Sequence, residues 1–174
     1  MSNLNIIIIG PADLGKEIGK KGTSTDITFY NLKKGEATFT IIEPSRYPEK
    51  LSSLYYAASL ADMAVVVIDA ITAGLGECIL ELTCAGVSRG YLILRNYLDM
   101  GQIAPLIKGT VLEEYTVLPD DLNGLREQLI ADAEALAPAS GQGAGIVPID
   151  HHFNVKGIGT VVLGCVHGGI IHKH

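Results

Sequence analysis

The amino-acid sequence predicts an α/β protein built on a doubly wound, mostly parallel sheet with one antiparallel edge, followed by a short all-β segment. Three observations support this prediction. Apolar runs typical of strands buried on both faces alternate with segments of helical periodicity. A glycine-rich turn follows the first of these runs. A glycine-rich linker at residues 138–146 then precedes two further strand patterns.

The first predicted strand is the isoleucine run from Ile6 to Ile9, which leads into a G-x-x-x-x-G-K pattern over Gly10 to Lys16. In a loop of this spacing, backbone N–H groups surround phosphate oxygens and the lysine neutralises their charge. A complete motif continues with a serine or threonine that binds Mg²⁺, but Glu17 stands here, so metal and nucleotide should bind weakly or not at all. A tight strand-to-helix turn without a ligand is the alternative.

The next elements should form the antiparallel edge. The helix after the loop has room for only a turn or two, although a parallel crossover usually takes a dozen or more residues. Strand patterns at 27–30 and 37–42 flank a turn at 33–36, which predicts a hairpin.

Helices and strands alternate through the rest of the first region. We predict helices over 49–61, 75–86 and 123–137 and strands over 63–69, 90–95 and 115–118. Ligands of doubly wound sheets bind at the carboxyl ends of the strands. The segments 10–16, 43–47 and 96–99 should therefore surround one crevice.

Composition restricts the classes of function. A formal net charge of −6 provides no broad basic surface, so DNA is not expected as a partner and any RNA contact should be local. The sequence shows neither a signal peptide nor an apolar stretch of the roughly 18 residues that a membrane helix needs, which predicts a cytoplasmic protein without a membrane partner. Cys78, Cys84 and Cys165 form no paired framework and should be reduced, small core residues.

The histidines raise the alternative of a zinc or nickel site, because all five lie at or beyond residue 151: His151, His152, His167, His172 and His174. No cysteine pair or H-x-x-x-H helix accompanies them. His151 and His152 should also point to opposite faces of one strand. Exposed strand histidines are the interpretation we favour.

A basic stretch of three lysines, Lys16, Lys20 and Lys21, begins within the glycine-rich loop. Lysines near a loop can contact a polyanion, but they more often form a solvated face. A solvated face is therefore the interpretation that the sequence favours, with a polyanion contact as the alternative.

Taken in order, the motifs resemble those of the translational GTPases, the group of EF-Tu and SelB, and most closely the archaeal SelB-like elongation factors. The glycine-rich loop is similar to the family pattern G-H-V-D-H-G-K and shares four of its residues: Gly10, Asp13, Gly15 and Lys16. Residues 22–26 resemble the switch segment, with Ser24 where the family has its Mg²⁺-binding threonine. The segment 43–47 occupies the position of the family's D-C-P-G-H, and Asn96-x-x-Asp99 resembles the guanine motif N-K-x-D.

The last segment, 150–166, resembles the opening of the second, β-barrel domain of these factors, V-D-x-x-F-x-I-x-G-x-G-T-V-V-T-G. The resemblance thus implies a P-loop GTPase-like domain over 1–137, a linker over 138–146 and the first strands of an incomplete EF-Tu domain-2-like barrel over 147–174. Two strands have unpaired edges and cannot bury a barrel core alone. The chain would then be a fragment of a longer factor, or its tail would pack on the first domain or on another copy.

Several positions depart from the family pattern. Glu17 replaces the Mg²⁺ hydroxyl and Glu43 the aspartate of the switch motif, while Tyr97 replaces the lysine along the guanine pocket. Arg46 replaces a glycine that must approach the γ-phosphate closely, and Tyr47 replaces the histidine that positions water. A tyrosine cannot orient water as that histidine does, so hydrolysis of GTP should be slow or absent and no catalytic residue is assigned.

The resemblance implies a divergent SelB-like or EF-Tu-like translation elongation factor with GTP or GDP as cofactor. Aminoacyl-tRNA and the ribosome would be its partners, through parts outside this chain. The nucleotide and its weakly bound Mg²⁺ would contact Gly10, Asp13, Gly15, Lys16, Glu17, Ser24, Asn96 and Asp99, next to the switch positions Glu43, Arg46 and Tyr47. The alternative is a non-catalytic interaction protein that keeps the GTPase fold and has lost the nucleotide.

Overall fold

The computed structural model describes residues 3–136, 144–164, 166, 169 and 171–172. The chain divides into two compact units, one that ends at Leu136 and one that begins at residue 137. Among the residues that the structure describes, none of the helices has the length and apolar character needed to cross a bilayer.

The first unit is a seven-stranded sheet with helices on both faces. In chain order its elements are β1 (Asn3–Ile9), α1 (Leu14–Ile18), β2 (Lys20–Ser24), β3 (Thr28–Lys34), β4 (Ala37–Glu43), α2 (Leu51–Ser59), β5 (Met63–Ile68), α3 (Ala73–Cys84), β6 (Gly90–Leu94), α4 (Met100–Ile107), a 3-10 helix (Val111–Glu114), β7 (Thr116–Leu118) and α5 (Leu122–Glu134). The strand order is β2-β3-β4-β1-β5-β6-β7. The pairs β2-β3 and β3-β4 are antiparallel and all others are parallel. The predicted fold class and the predicted hairpin are therefore confirmed.

Two layers of buried side chains cover opposite faces of this sheet, and β1 contributes to both. Ile7 and Ile9 pack with α2, α3 and α4 on one face, while Ile6 and Ile8 pack with α1 and α5 on the other. Because successive side chains of a strand alternate between faces, an unbroken isoleucine run suits a strand that is covered on both sides. The first strand thus sits at the centre of the unit and points its carboxyl end at the glycine-rich loop.

Three elements of the first unit were not predicted: β2, α4 and the 3-10 helix. The segment 20–24, expected to be the end of a short basic helix and the start of the switch segment, forms the edge strand β2, whose residues are all exposed. Lysine and glycine have low strand propensity, so only pairing with β3 places this segment in the sheet. The helix α4 contains Gly101 and Pro105, which are poor helix formers, but Asp99 starts it with a capping box.

One prediction about the cysteines is wrong. Cys78 is 3 % exposed and belongs to the core, as predicted, but Cys84 is exposed. Both lie on α3, and six residues at about 100° each place Cys84 on a different side of the helix from Cys78. Cys165 lies outside the described residues.

The second unit contains the antiparallel strands β8 (Ile149–Val155) and β9 (Gly159–Gly164). The turn between them has Gly157 and Gly159 at φ of 84° and 104°, where glycine is favoured. His152 and His172 are exposed. The positions of His167 and His174, and the side chain of His151, lie outside what the structure describes. Within the described part of the chain, no group of three or more histidine, cysteine, aspartate or glutamate side chains could hold a metal ion.

Candidate nucleotide site

The three segments predicted to surround a crevice follow three parallel strands of the sheet. They come after Ile9 at the end of β1, Glu43 at the end of β4 and Leu94 at the end of β6. β4 and β1 are neighbours, whereas β5 separates β1 from β6. At roughly 4.8 Å per strand, the loop after β6 therefore lies about 10 Å from the glycine-rich loop. The arrangement has a phosphate side, the loop 10–16 with Glu43, and a base side, the loop 95–99.

Close packing explains both glycines of the phosphate side. A Cβ atom on Gly10 would lie 2.9 Å from the Cβ of Val67. A Cβ atom on Gly15 would overlap the ring of Tyr30, which is 1 % exposed. The backbone thus reaches β5 and β3 more closely than a side chain would allow. These contacts require glycine at both positions whether or not a ligand binds.

The loop of the phosphate side is filled by an internal carboxylate. Glu43 Oε1 accepts a hydrogen bond of 2.8 Å from the N–H of Asp13, and Oε2 accepts one of 3.2 Å from the N–H of Gly15. Asp13 is in the left-handed region (φ 62°), a geometry that turns successive N–H groups into an anion-binding hollow. A phosphate can reach these two donors only if Glu43 moves away.

Tyr30 packs against the same loop. Its hydroxyl lies 3.4 Å from Asp13 Oδ1 and its ring lies against Gly15. Burial raises the pKa of Tyr30 to about 12, and the charges of Glu43 and Asp13 act in the same direction. The phenol is therefore neutral at physiological pH.

Lys16 and Glu17, which the motif also predicts at the phosphates, line a separate cavity. They share this cavity of about 850 Å³ with residues from the end of α1, from β2, β3 and α5, and from the amino-terminal parts of β1 and β4. Neither side chain makes a hydrogen bond or an ion pair within the described part of the chain. The structure does not bring them together with Glu43.

Ser24, the predicted Mg²⁺ ligand, belongs to a cluster of hydroxyls. Its Oγ lies 2.9 Å from Thr28 Oγ1, to which Ser45 donates a hydrogen bond of 2.5 Å. Thr28 stands in register between Ser24 on β2 and Glu43 on β4. Since the Ser24 hydroxyl is bonded to Thr28 and the neighbouring carboxylate is bonded to the loop, this donor set fits Mg²⁺ poorly.

Arg46 and Tyr47 follow Glu43 and are engaged by helices. The Tyr47 hydroxyl lies 2.8 Å from Glu77 Oε2 and 3.0 Å from the carbonyl oxygen of Gly74, both on α3. Burial raises the pKa of Tyr47, and its hydrogen bond to Glu77 raises it further. Arg46 pairs with Glu49 at 3.6 Å on the surface. The tyrosine hydroxyl is therefore part of a link to α3.

The base side has a different organisation. Asn96 and Tyr97 adopt positive φ values of 54° and 63°, and Asn96 Nδ2 donates a hydrogen bond of 3.0 Å to the carbonyl of Asp69. Asp99 caps α4 by accepting a hydrogen bond of 3.0 Å at Oδ1 from the N–H of Gln102. Its Oδ2 has no hydrogen-bond partner among the described residues. The Tyr97 ring is fully exposed.

An ion pair beside the base side was missed by the sequence analysis. Arg95 donates hydrogen bonds of 2.7 to 2.9 Å to both carboxylate oxygens of Asp120. Asp120 follows β7 and Arg95 follows β6, so the pair links the ends of two neighbouring strands. The only signal in the sequence is that Arg95 is the last residue of one predicted strand and Asp120 lies two residues beyond the next.

Comparisons with known proteins agree with this geometry at the level of the fold. No protein-family model matches the chain. It is 37 % identical over 175 aligned positions to an uncharacterized protein of Methanocaldococcus jannaschii, and 24 % identical over 183 to the selenocysteine-specific elongation factor of that organism. These alignments include 100 % and 90 % of this chain, which spans 56 % and 38 % of the respective relatives.

Solved structures of selenocysteine-specific elongation factors have the same fold. One is SelB from Methanococcus maripaludis, in complex with the GTP analogue GppNHp. The superposition covers 98 % of this chain and 43 % of the SelB chain, with a TM-score of 0.74 and 21 % sequence identity. Another is the bacterial factor EF-Sec. The superposition covers 97 % of this chain and 35 % of the EF-Sec chain, with a TM-score of 0.70 and 19 % sequence identity. The predicted resemblance to SelB-like translational GTPases is thus confirmed, and at this identity it establishes the fold.

Proposed function

We propose that this chain is part of a divergent SelB-like or EF-Tu-like translation factor that binds guanine nucleotide weakly and hydrolyses GTP slowly or not at all. The shared fold and the order of the motifs support the class of protein. The single observation that carries the weak binding is the Glu43 carboxylate, which accepts hydrogen bonds from the N–H groups of Asp13 and Gly15.

A nucleotide phosphate must compete with this carboxylate. Hydrogen bonds to a charged group contribute about 1.5 to 3 kcal/mol each, so displacing Glu43 from two donors costs several kcal/mol unless the phosphate makes equivalent contacts. The displaced carboxylate would remain close to the phosphates and repel them. Each 1.4 kcal/mol lowers affinity about tenfold, so binding should be weak.

Hydrolysis needs a group that orients water at the γ-phosphate. Tyr47 stands where the family has its histidine, and its hydroxyl is bonded to Glu77 and Gly74. Its raised pKa also keeps the hydroxyl protonated at physiological pH, so no phenolate is available to accept a proton from water. Both properties favour a protein that binds nucleotide without efficient turnover.

The base side keeps groups that suit a purine. Asp99 Oδ2 can accept hydrogen bonds from N–H groups of guanine, and the exposed ring of Tyr97 can stack on a base. In this proposal, the binding and release of the guanine nucleotide, with its polyphosphate, can act as a signal. In this proposal the base side contributes most of the selectivity and the phosphate side limits the affinity.

The rest of the proposed function follows from the resemblance. Aminoacyl-tRNA and the ribosome would be the partners in the cytoplasm, reached through parts of a longer protein. The strands β8 and β9 would be the first strands of the barrel domain, and their unpaired edges would be completed by further strands or by another copy.

Glu43 also favours a second candidate, a non-catalytic interaction protein without a nucleotide. Because the internal carboxylate satisfies the loop donors, the phosphate side is complete without any ligand. A protein that had lost its nucleotide could keep the fold in this way.

Titration with fluorescent GTP and GDP analogues, with and without Mg²⁺, tests these alternatives. The wild-type chain is compared with Glu43→Ala, Lys16→Ala and Asp99→Asn. Glu36→Ala, in the exposed turn between β3 and β4, is the control for loss of one negative charge. We expect weak, guanine-selective binding that tightens at least tenfold in Glu43→Ala, stays near wild type in Glu36→Ala and loses its selectivity in Asp99→Asn.

Lys16→Ala reports on the position of the lysine. Its side chain lines the separate cavity, so the loss of nucleotide affinity should be small unless Lys16 turns toward the loop on binding. If neither the wild type nor Glu43→Ala binds at millimolar nucleotide, the first proposal is wrong and the interaction protein is favoured.

A further inference from the structure

A large open cavity lies beside α1, away from the candidate nucleotide site. It exists because α1 ends at Ile18, after five residues, and the chain then runs into the edge strand β2. Its volume is about 850 Å³. We call it the basic groove, after the five cationic residues in its lining: Lys16, Lys20, Lys21, Lys33 and Arg126.

The charge of the basic groove contrasts with that of the protein. The chain has a net charge of −6, yet five of its 13 lysines and arginines line this one cavity, together with a single carboxylate, Glu17. None of the five side chains makes an ion pair or a hydrogen bond within the described part of the chain. By contrast, Lys34 pairs with Glu127 at 3.0 Å. Unpaired cations that face one cavity repel each other, and an external anion would relieve that repulsion.

From this charge and shape we propose that the basic groove binds the phosphate backbone of RNA. Asn31 Nδ2 lies among the cations and can donate to phosphate or 2′-hydroxyl groups, whereas Asn3 Nδ2 already donates to Asn5 Oδ1 and Thr40 Oγ1. The aromatic residue in the lining, Phe39, is 1 % exposed and offers no ring face for stacking. Recognition therefore acts on the backbone and is insensitive to base sequence.

The edge strand argues against a protein segment as the occupant. A peptide that adds to a sheet does so by main-chain pairing along a regular edge. β2 presents Lys20 and Lys21, and its register with β3 shifts between Lys21 and Ser24. Lysines and such irregularities are features that discourage strand addition. A chain of phosphates needs no such pairing.

The basic groove contains Lys16 and Glu17 of the glycine-rich motif, but it lies away from Gly10 and Glu43. Asn3 begins β1 and Thr38 lies near the start of β4, whereas Gly10 and Glu43 lie at or just beyond the opposite ends of these strands. RNA binding should thus need no nucleotide and should be unchanged in Glu43→Ala. The failure of the nucleotide titration would leave this proposal untouched.

Fluorescence anisotropy of a labelled RNA oligonucleotide of about 12 nucleotides, at about 50 mM salt, tests the proposal on the full chain. The double variant Lys20→Glu/Lys21→Glu should weaken binding at least tenfold. The matched control Lys108→Glu/Lys156→Glu makes the same charge change at exposed positions outside the groove and should weaken it less than threefold. The slope of log affinity against log salt should fall by about 1.4 in the groove variant, for two lost contacts at about 0.7 each.

A second groove variant, Lys33→Glu/Arg126→Glu, replaces exposed residues on other elements and should behave like the first if the groove is the site. Polyglutamate added at equal charge should displace the RNA poorly. The proposal is wrong if the wild type does not bind RNA, if groove and control variants lose affinity equally, or if polyglutamate competes as well as unlabelled RNA.

Discussion

The two sides of the candidate nucleotide site differ in what satisfies their polar groups. On the phosphate side, N–H groups of the loop are bonded to Glu43 of the same chain. On the base side, Asp99 uses one oxygen to cap α4, and the Tyr97 ring is fully exposed. The first side is complete without a ligand, whereas the second has groups left over for one.

On the phosphate side, a carboxylate of the same chain occupies two N–H donors of the loop. The family pattern has an aspartate where this chain has Glu43, and the additional methylene lengthens the reach of the carboxylate. Buried N–H groups without partners cost about 1 to 3 kcal/mol each, so an internal acceptor stabilises the loop. On the base side the loop is held by the hydrogen bond of Asn96 to Asp69 and by the helix cap, and among the described residues Asp99 Oδ2 has no hydrogen-bond partner.

The largest effect is expected from Gly15→Ala. The new Cβ would overlap the buried Tyr30 ring, so we expect a loss of about 3 kcal/mol in the free energy of unfolding, measured by urea denaturation. Gly76→Ala is the control, because a Cβ on this α3 residue meets nothing within 4 Å and alanine favours helix by up to about 1 kcal/mol. Equal stability of the two variants would show that the close packing of the loop is unimportant.

Glu43→Ala should reduce stability by about 1 to 3 kcal/mol, because it leaves the loop N–H groups without their acceptor. Inorganic phosphate should then raise the melting temperature of this variant more than that of the wild type or of Glu36→Ala. If Glu43→Ala is as stable as the wild type and phosphate does not raise its melting temperature, the proposed difference between the phosphate side and the base side is wrong.

Two replacements of Asp99 separate its roles as cap and as base ligand. Asp99→Ala should lose about 1 kcal/mol of stability, since the side-chain acceptor at the start of α4 disappears. Asp99→Asn keeps an acceptor and should be nearly as stable as the wild type, but both variants should lose preference for guanine over adenine nucleotides. Thermal melting and nucleotide titration measure the two effects; retained guanine preference in Asp99→Asn would exclude this carboxylate as the base ligand.

The smallest change in stability is expected for Tyr97→Ala, within about 0.5 kcal/mol, because the ring is exposed. Its effect should appear in nucleotide affinity, which stacking on a base changes by about 1 to 3 kcal/mol. Tyr97→Phe keeps the ring and serves as the control in the same titration. If Tyr97→Ala binds nucleotide as well as Tyr97→Phe does, the ring makes no contact with the base.

Much of the fold could be predicted from the sequence because its signals are local. The isoleucine run of β1 and the valine-rich β5 are buried on both faces, as their composition indicates. The hairpin of β3 and β4 follows from two strand patterns around a turn. β2 and α4 were missed because their lysine, glycine and proline residues have low propensity for the structure that pairing and capping impose.

The candidate site was predictable only in part. The order of its motifs places the loop 10–16, Glu43 and the segment 96–99 at strand ends, and the structure has them there. The sequence could not reveal that Lys16 lines a different cavity, because the direction of that side chain depends on how α1 and α5 pack on the sheet. It equally could not distinguish the buried Cys78 from the exposed Cys84, which share one helix.

Residue type and spacing alone were thus enough to predict the parallel sheet and the loop after its central strand, and the resemblance to translational GTPases supplied the prediction of slow or absent turnover. The hydrogen bonds of Glu43 to the loop arise only in the folded chain. They join residues about thirty positions apart, which meet because β4 lies beside β1 in the sheet and ends at the same edge. The local sequence pattern carries no information about such a contact, because the contact depends on the order of the strands in the sheet and on the length of the Glu43 side chain.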